Sequence, residues 1–238
     1  MKPRLKTCWD LTPREAMRLQ ECLRDRVELQ DRFGEIRFVA GADMAFDPAT
    51  EVAFGGVIVY RFPALEEVER QMARRKLRFP YVPGLLSFRE CPILLAAFAR
   101  LKTEPDLILI DGQGRAHPRG LGIACHVGII FDKPTIGCAK SRLIGEHDEP
   151  ASAAGSTAPL MLDGNCLGMV LRTRDGVQPI YVSTGHRLSL ETAVTLVRQC
   201  GDGFRIPKPT READHYVGDL RRAYQKSREA KQLRGYLT

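Results

Sequence analysis

Four carboxylates have surroundings that suit chemistry: Asp43, Glu90, Asp111 and Asp214. Asp111 closes the apolar run Leu107-Ile108-Leu109-Ile110, and Gly112-Gln113-Gly114 follows it. An uninterrupted apolar run reads as a strand buried on both faces. An acid at the C-terminal end of such a strand is costly to bury unless it is paired, hydrogen-bonded or holding a metal. Gly112 and Gly114 let the backbone approach a ligand closely. Asp43 ends a second apolar stretch, and alternation puts it on one face with Val39 and Gly41. Either acid alone reads equally as a turn cap. If their strands are neighbours, the two carboxylates converge, and they repel unless a cation or a proton lies between them. Mg²⁺ suits such a place, since it takes oxygen ligands at about 2.1 Å from one or two carboxylates plus phosphate oxygens.

Glu90 follows Ser87, with the spacing of a capping box, but Pro92 fits best as the first residue of a helix. On that reading Glu90 sits just before the helix and is free to point at a site. Asp214 lies one turn into the last helix and borders its apolar face, where it either faces inward as a fourth acid or favours the helix dipole. Lys140 ends a strand and is placed to reach a phosphate. His117 precedes Pro118, as a helix N-cap or as an acid/base group near Asp111. In Pro80-Tyr81-Val82-Pro83 a tyrosine stands between two prolines. It is either a core staple or a rigid wedge for a base stack. Cys125 and His126, adjacent in an apolar stretch, read as core.

The elements that must position these groups follow from periodicity and breakers. Thr12-Pro13-Arg14-Glu15 starts a helix that runs to about Leu29. Strands are expected at Ile36 to Asp43, at Glu51 to Arg61 and around Leu65 to Gln71, a meander followed by the basic stretch Gln71 to Arg78. A loop spans Phe79 to Ser87, and a helix spans Ile93 to Leu101. The strand Leu107 to Asp111, a helix from near Pro118 and a strand Pro134 to Ala139 come next. A polar loop at Gly145 to Ala158, expected to be mobile from Glu149 on, leads to a hairpin around Gly168 to Ser183. Ser189 caps a helix to about Cys200, and the last helix begins after Thr210. A meander followed by βαβ crossovers makes a mixed α/β sheet with helices on both faces, the layout of ribonuclease-H-like folds. Without an internal repeat or a long linker, residues 1–238 are expected to form a single domain.

The chain of 238 residues carries 36 Lys and Arg against 29 Asp and Glu, a net charge of +7. Because the acids cluster in the motifs, the excess base lies elsewhere and favours a polyanionic partner such as nucleic acid. Seven cysteines without metal-type spacing read as free thiols in a reducing cytoplasm. No apolar run reaches membrane-spanning length, and nothing points to an obligate protein partner.

With these residues in place, the sequence closely resembles the endonuclease V family, the deoxyinosine 3′-endonucleases. The segments AGADMAF, PYVPGLLSFRE, LILIDGQGRAHPRGLG, IGCAKSRLIG and PTREADHY fall in that family's order and spacing. The resemblance implies a metal site at Asp43, Glu90 and Asp111, with Asp43 and Asp111 as the ligands and an accessory role for Asp214, where some members have His. It implies a strand-separating wedge at Tyr81, flanked by Pro80, Val82 and Pro83. It also implies a pocket for the flipped base walled by Gly84, Leu86, Gly112, Gly122 and Ile123. Gln113 stands where many members have His or another polar residue. The implied reaction is DNA repair by Mg²⁺-dependent hydrolysis, with Mn²⁺ as a substitute ion. It cuts the second phosphodiester 3′ to deoxyinosine and leaves 3′-hydroxyl and 5′-phosphate ends. Three alternatives stay open: inosine in RNA as the substrate, a structure-specific nuclease of the same fold, and a non-catalytic nucleic-acid-binding domain. The intact set of four acids weighs against the last.

Overall fold

The computed structural model describes residues 1–235. Its frame is an eight-stranded mixed sheet of order β3-β2-β1-β4-β5-β8-β7-β6. The meander is β1 (Phe38–Asp47), β2 (Val52–Arg61) and β3 (Glu66–Lys76), all antiparallel neighbours. β4 (Leu107–Ile110) pairs parallel with β1, and β5 (Thr135–Ala139) pairs parallel with β4. β6 (Thr157–Leu162), β7 (Asn165–Leu171) and β8 (Ile180–His186) complete the sheet as antiparallel strands beside β5.

Helices cover both faces, as expected of a ribonuclease-H-like fold. The alternation of β1, β2 and β4 sends Ala40, Val57, Ile108 and Ile110 to one face, under α2 (Leu86–Phe98) and α3 (Ile123–Phe131). Val39, Ile58, Leu107 and Leu109 go to the other face, under α4 (Leu190–Gln199) and α5 (Lys208–Gly235). β4 is buried along its whole length, as its apolar run requires. No described helix is long and apolar enough to cross a membrane. All seven cysteines are free.

Several boundaries differ from expectation. α1 (Pro13–Arg24) begins with the expected capping box but stops well before Leu29. The chain beyond it binds β8's end instead: Glu28 accepts from the Arg187 N–H at 2.7 Å, and the Arg32 N–H donates to the Arg187 carbonyl at 3.2 Å. β1 runs four residues past Asp43, which is therefore a mid-strand residue. α3 starts at Ile123 with Gly122 as its N-cap, so His117 caps no helix.

The largest correction concerns α2. It starts at Leu86, so Glu90 is in its second turn and Pro92 is inside it. An interior proline costs a helix roughly 3 kcal/mol. Burying Phe88, Cys91, Ile93, Leu94 and Phe98 offsets this, since each large apolar side chain contributes about 1.5–3 kcal/mol. Ser87 does not cap the helix either. Its hydroxyl is buried, 3.1 Å from Nδ1 of His126. The loop at Glu149 to Ala158 is tied down rather than loose. The buried Arg172 guanidinium binds the carbonyls of Ala151 and Pro150, and the Gly155 N–H donates to the Arg172 carbonyl. Part of that segment is already β6.

Candidate active site

The register of β1 on β4 pairs Ala42 with Ile110. Asp43 and Asp111 are each the next residue, so the two strands deliver them side by side. α5 brings Asp214 over them. It can close onto the sheet because Gly41 faces the Pro209 backbone and Gly56 faces Val217 and Tyr216, with no room for a Cβ at either glycine. Asp43, Asp111 and Asp214 each offer a carboxylate oxygen within 4.8 Å of the others. Lys140, just past β5, reaches into this group. Its ammonium lies 2.5 Å from Asp111 and 3.1 Å from Asp214. Glu90 stands outside the trio, on α2, close enough for the Asp111 charge to act on it.

Electrostatics record the crowding. Burial raises the Asp43 carboxyl well above the ordinary range. The Asp111 charge adds to this, and the Met44 N–H at 2.7 Å opposes it. Burial likewise pushes Glu90 to about 8, with Asp111 adding to the shift. Asp111 is raised by burial even though Lys140 pulls it down. Lys140 is lowered by burial but raised on balance by Asp111 and Asp214. Lys140 meets only Asp111 and Asp214, Arg205 and Arg89 pull Asp111 and Glu90 down from further off, and each of the three shifted acids is still raised on balance. Clustered hard oxygens with excess negative charge suit an oxygen-seeking divalent cation.

The Pro80–Pro83 loop comes just before α2 in the chain. Tyr81 is 71% exposed, which removes the reading as a core staple; Val82 packs on the Phe79, Leu85 and Phe88 cluster instead. Gly84 has a φ of +76°, a conformation that favours glycine. Its carbonyl is the anchor of the loop. It accepts from Arg119 at 2.7 Å and from Gln20 at 3.0 Å, and lies 2.9 Å from His117 Nε2. The Arg119 N–H donates to His117 Nδ1, so the ring proton belongs on Nε2, facing Gly84. Burial and Arg119 push His117 down to about 4, which keeps it neutral. Both ring nitrogens are thus taken up by the loop. Beside it, Leu86 is part-exposed, and Gly112 lies against Ile123.

The structure brings Asp43, Asp111, Asp214 and Lys140 together, sets Glu90 behind them, and places His117 with the loop. It also shows groups that sequence reasoning missed. Ser183 on β8 accepts from the Gly114 N–H at 2.8 Å and fixes the glycine turn. Arg205 donates to the carbonyl of Lys140 at 2.7 Å and to those of Gln178 and Pro179 at 2.9 Å. A lone serine in a strand and an arginine in a loop carry no local signal of such contacts.

A family model for Endonuclease V matches residues 21–215. This chain belongs to the endonuclease V family. The Endonuclease V of Nostoc punctiforme is 49% identical over 207 residues, covering 87% of this chain and 94% of the relative. The crystal structure of Endonuclease V from Bacillus subtilis superposes with a TM-score of 0.91 at 31% identity, covering 95% of this chain and all of the other. Endonuclease V of Ciona intestinalis, solved with a 23mer DNA containing an inosine followed by a ribo-adenosine, has a TM-score of 0.79 at 26% identity. It covers 90% of this chain and 100% of its own. The span that matches the endonuclease V model contains all four carboxylates, Lys140 and the Tyr81 loop. It excludes Trp9 and all of α5 beyond His215.

Proposed function

We propose that this endonuclease repairs DNA by cutting strands that carry deoxyinosine, at the second phosphodiester 3′ to the lesion, leaving 3′-hydroxyl and 5′-phosphate ends. The observation that carries this reading is the convergence of Asp43, Asp111 and Asp214 beside Lys140 in an endonuclease V frame. The inosine-containing DNA held by the Ciona relative supports the choice of substrate.

Asp43 and Asp111 would hold Mg²⁺, or Mn²⁺ in its place, with Asp214 adjoining. Such an ion supplies a water nucleophile at neutral pH and charge for the departing oxygen. Lys140 offsets the charge of Asp111 and Asp214, and its part-exposed ammonium is available to a phosphate oxygen. Glu90 holds a carboxyl behind Asp111. Tyr81 fills the space left in the stack when the base leaves it, while Gly84, Leu86, Gly112, Gly122 and Ile123 wall the pocket that receives the base. Extrusion is easier for an unstable inosine pair than for a sound one. His117 and Arg119 hold the loop at Gly84.

The test is cleavage of matched DNA and RNA oligonucleotides, each with one inosine, beside an undamaged flap substrate. Mg²⁺-dependent nicking of the inosine DNA is expected. Cleavage of the RNA alone makes the protein an inosine endoribonuclease, and cutting of the flap alone makes it a structure-specific nuclease.

A further inference from the structure

A cleft of about 560 Å³ opens between the end of β3, the first half of α2 and the segment Trp9 to Leu11. None of the four carboxylates lines it. Its aromatic wall is Trp9, half-buried and edge-on to Phe88 with ring centroids 6.1 Å apart, with the buried Phe79 behind. Its rim carries Arg75, Lys76, Arg78 and Arg89 against the single acid Asp10. Two of these cations are already engaged. Arg89 donates to the Phe79 carbonyl at 2.9 Å and lies over the Phe46 ring, and Arg75 donates to the Pro92 carbonyl at 3.3 Å. Lys76 and Arg78 are exposed and form no ion pair or side-chain hydrogen bond among the described residues. Pro80 lines the same cleft, so its mouth adjoins Tyr81.

An aromatic wall beside two free cations, Lys76 and Arg78, is the chemistry that holds a single-stranded nucleotide, with the base stacked and the phosphate paired. The volume lies within the range of small-ligand sites, about 300–1,000 Å³. We propose that this cleft binds an unpaired nucleotide of a DNA strand opened beside Tyr81, as a site separate from the carboxylate centre. The identification of the strand as DNA rests on the function proposed above. The cleft would let the protein hold opened DNA by two points, the extruded base and a second, unpaired nucleotide.

Trp9 is the only tryptophan of the chain, so its fluorescence reports this cleft directly. The protein is titrated with a short oligothymidylate free of inosine, with thymidine monophosphate as a second arm. Saturable quenching by the oligonucleotide is expected, with much weaker quenching by the mononucleotide. Lys76→Glu/Arg78→Glu should weaken the quenching midpoint about tenfold or more and lower the salt slope of log Kd by about 1.4, the value for two single-strand phosphate contacts. Lys76→Gln/Arg78→Gln should fall between, and unchanged thermal unfolding shows both variants folded. Unaltered Trp9 emission when a labelled oligonucleotide is bound, or an unchanged midpoint in the charge-reversed variant, overturns the proposal. Equal quenching by the mononucleotide makes the cleft a free-nucleotide site and overturns its assignment to a strand. Nicking of inosine DNA is scored separately, so failure of the proposed function and failure of the cleft give different results.

Discussion

The ammonium of Lys140 lies 2.5 Å from a carboxylate oxygen of Asp111, so a protein cation already sits against one of the two acids proposed to hold the ion. Lys140 thus competes with a metal for Asp111 while staying within reach of a phosphate. Lys140→Met should therefore have two opposed effects. The Mg²⁺ concentration for half-maximal cutting should fall severalfold, because the acids lose their internal counter-ion. The maximal rate should fall about ten- to a hundredfold through the loss of a cation beside the phosphate. Metal titrations of the nicking rate read both. A variant that needs more Mg²⁺ would show that Lys140 assists metal binding rather than competing with it.

Asp43→Ala and Asp111→Ala should abolish Mg²⁺-dependent nicking while leaving affinity for inosine DNA within a few fold of the parent. Metal ligands serve the chemistry more than docking, where phosphate contacts from basic groups dominate. Nicking assays beside gel-shift titrations separate the two. Either variant cutting at the parent rate would remove that residue from the metal site.

Tyr81 is exposed on a loop whose anchor, the Gly84 carbonyl, is fixed by Arg119 and Gln20. Stacking on such a ring contributes roughly 1–3 kcal/mol. Tyr81→Ala should then weaken cutting of inosine in duplex DNA by about ten- to a hundredfold. The loss should be smaller on single strands, where there is less stacking to break. Equal losses on both would place the defect in the loop's fold and not in lesion recognition.

His126 is fully buried between Trp9 and Phe88, and burial pushes its pKa down to about 4 from an ordinary 6.5. Between those values the unfolded chain binds a proton that the folded protein refuses. The stability is complete above about pH 6.5 and is lost as pH falls toward 4, by up to about 3 kcal/mol for this one ring. His117, also pushed down to about 4, acts in the same direction. Urea unfolding across this window should show the decline, and His126→Gln should reduce its slope by about one proton. An unchanged slope in that variant would mean that His126 is not the titrating group.

The parts of the molecule that were legible in the sequence are those where local pattern and tertiary demand agree. The apolar run before Asp111 could only be a buried strand, and Thr12 with Glu15 could only start a helix. The convergence of Asp43 and Asp111 was legible only as a condition, that the first and fourth strands be neighbours, and the parallel pairing of β1 with β4 meets it. Pro92 misled because a local cost was outweighed by burial further along the helix, which no local rule sees. The β6–β7 hairpin was missed although its turn is Asp163-Gly164, both at positive φ, a strong hairpin signal between apolar runs. Ser183 and Arg205 were illegible for another reason: each acts across the sheet, on residues 69 and 65 positions away.

Asp214 belongs to α5, the helix that also covers the Val39, Ile58 and Leu109 face of the sheet. Synthesis therefore delivers Asp43, Glu90 and Asp111 early and their last companion late. Until α5 leaves the ribosome, an apolar face of β1, β2 and β4 stays open and the acid cluster is short by one. Domains complete their packing as the chain emerges, so closing the core and completing the cluster become one event. A nuclease ordered in this way carries only part of its proposed cutting centre while it is still a nascent chain near RNA.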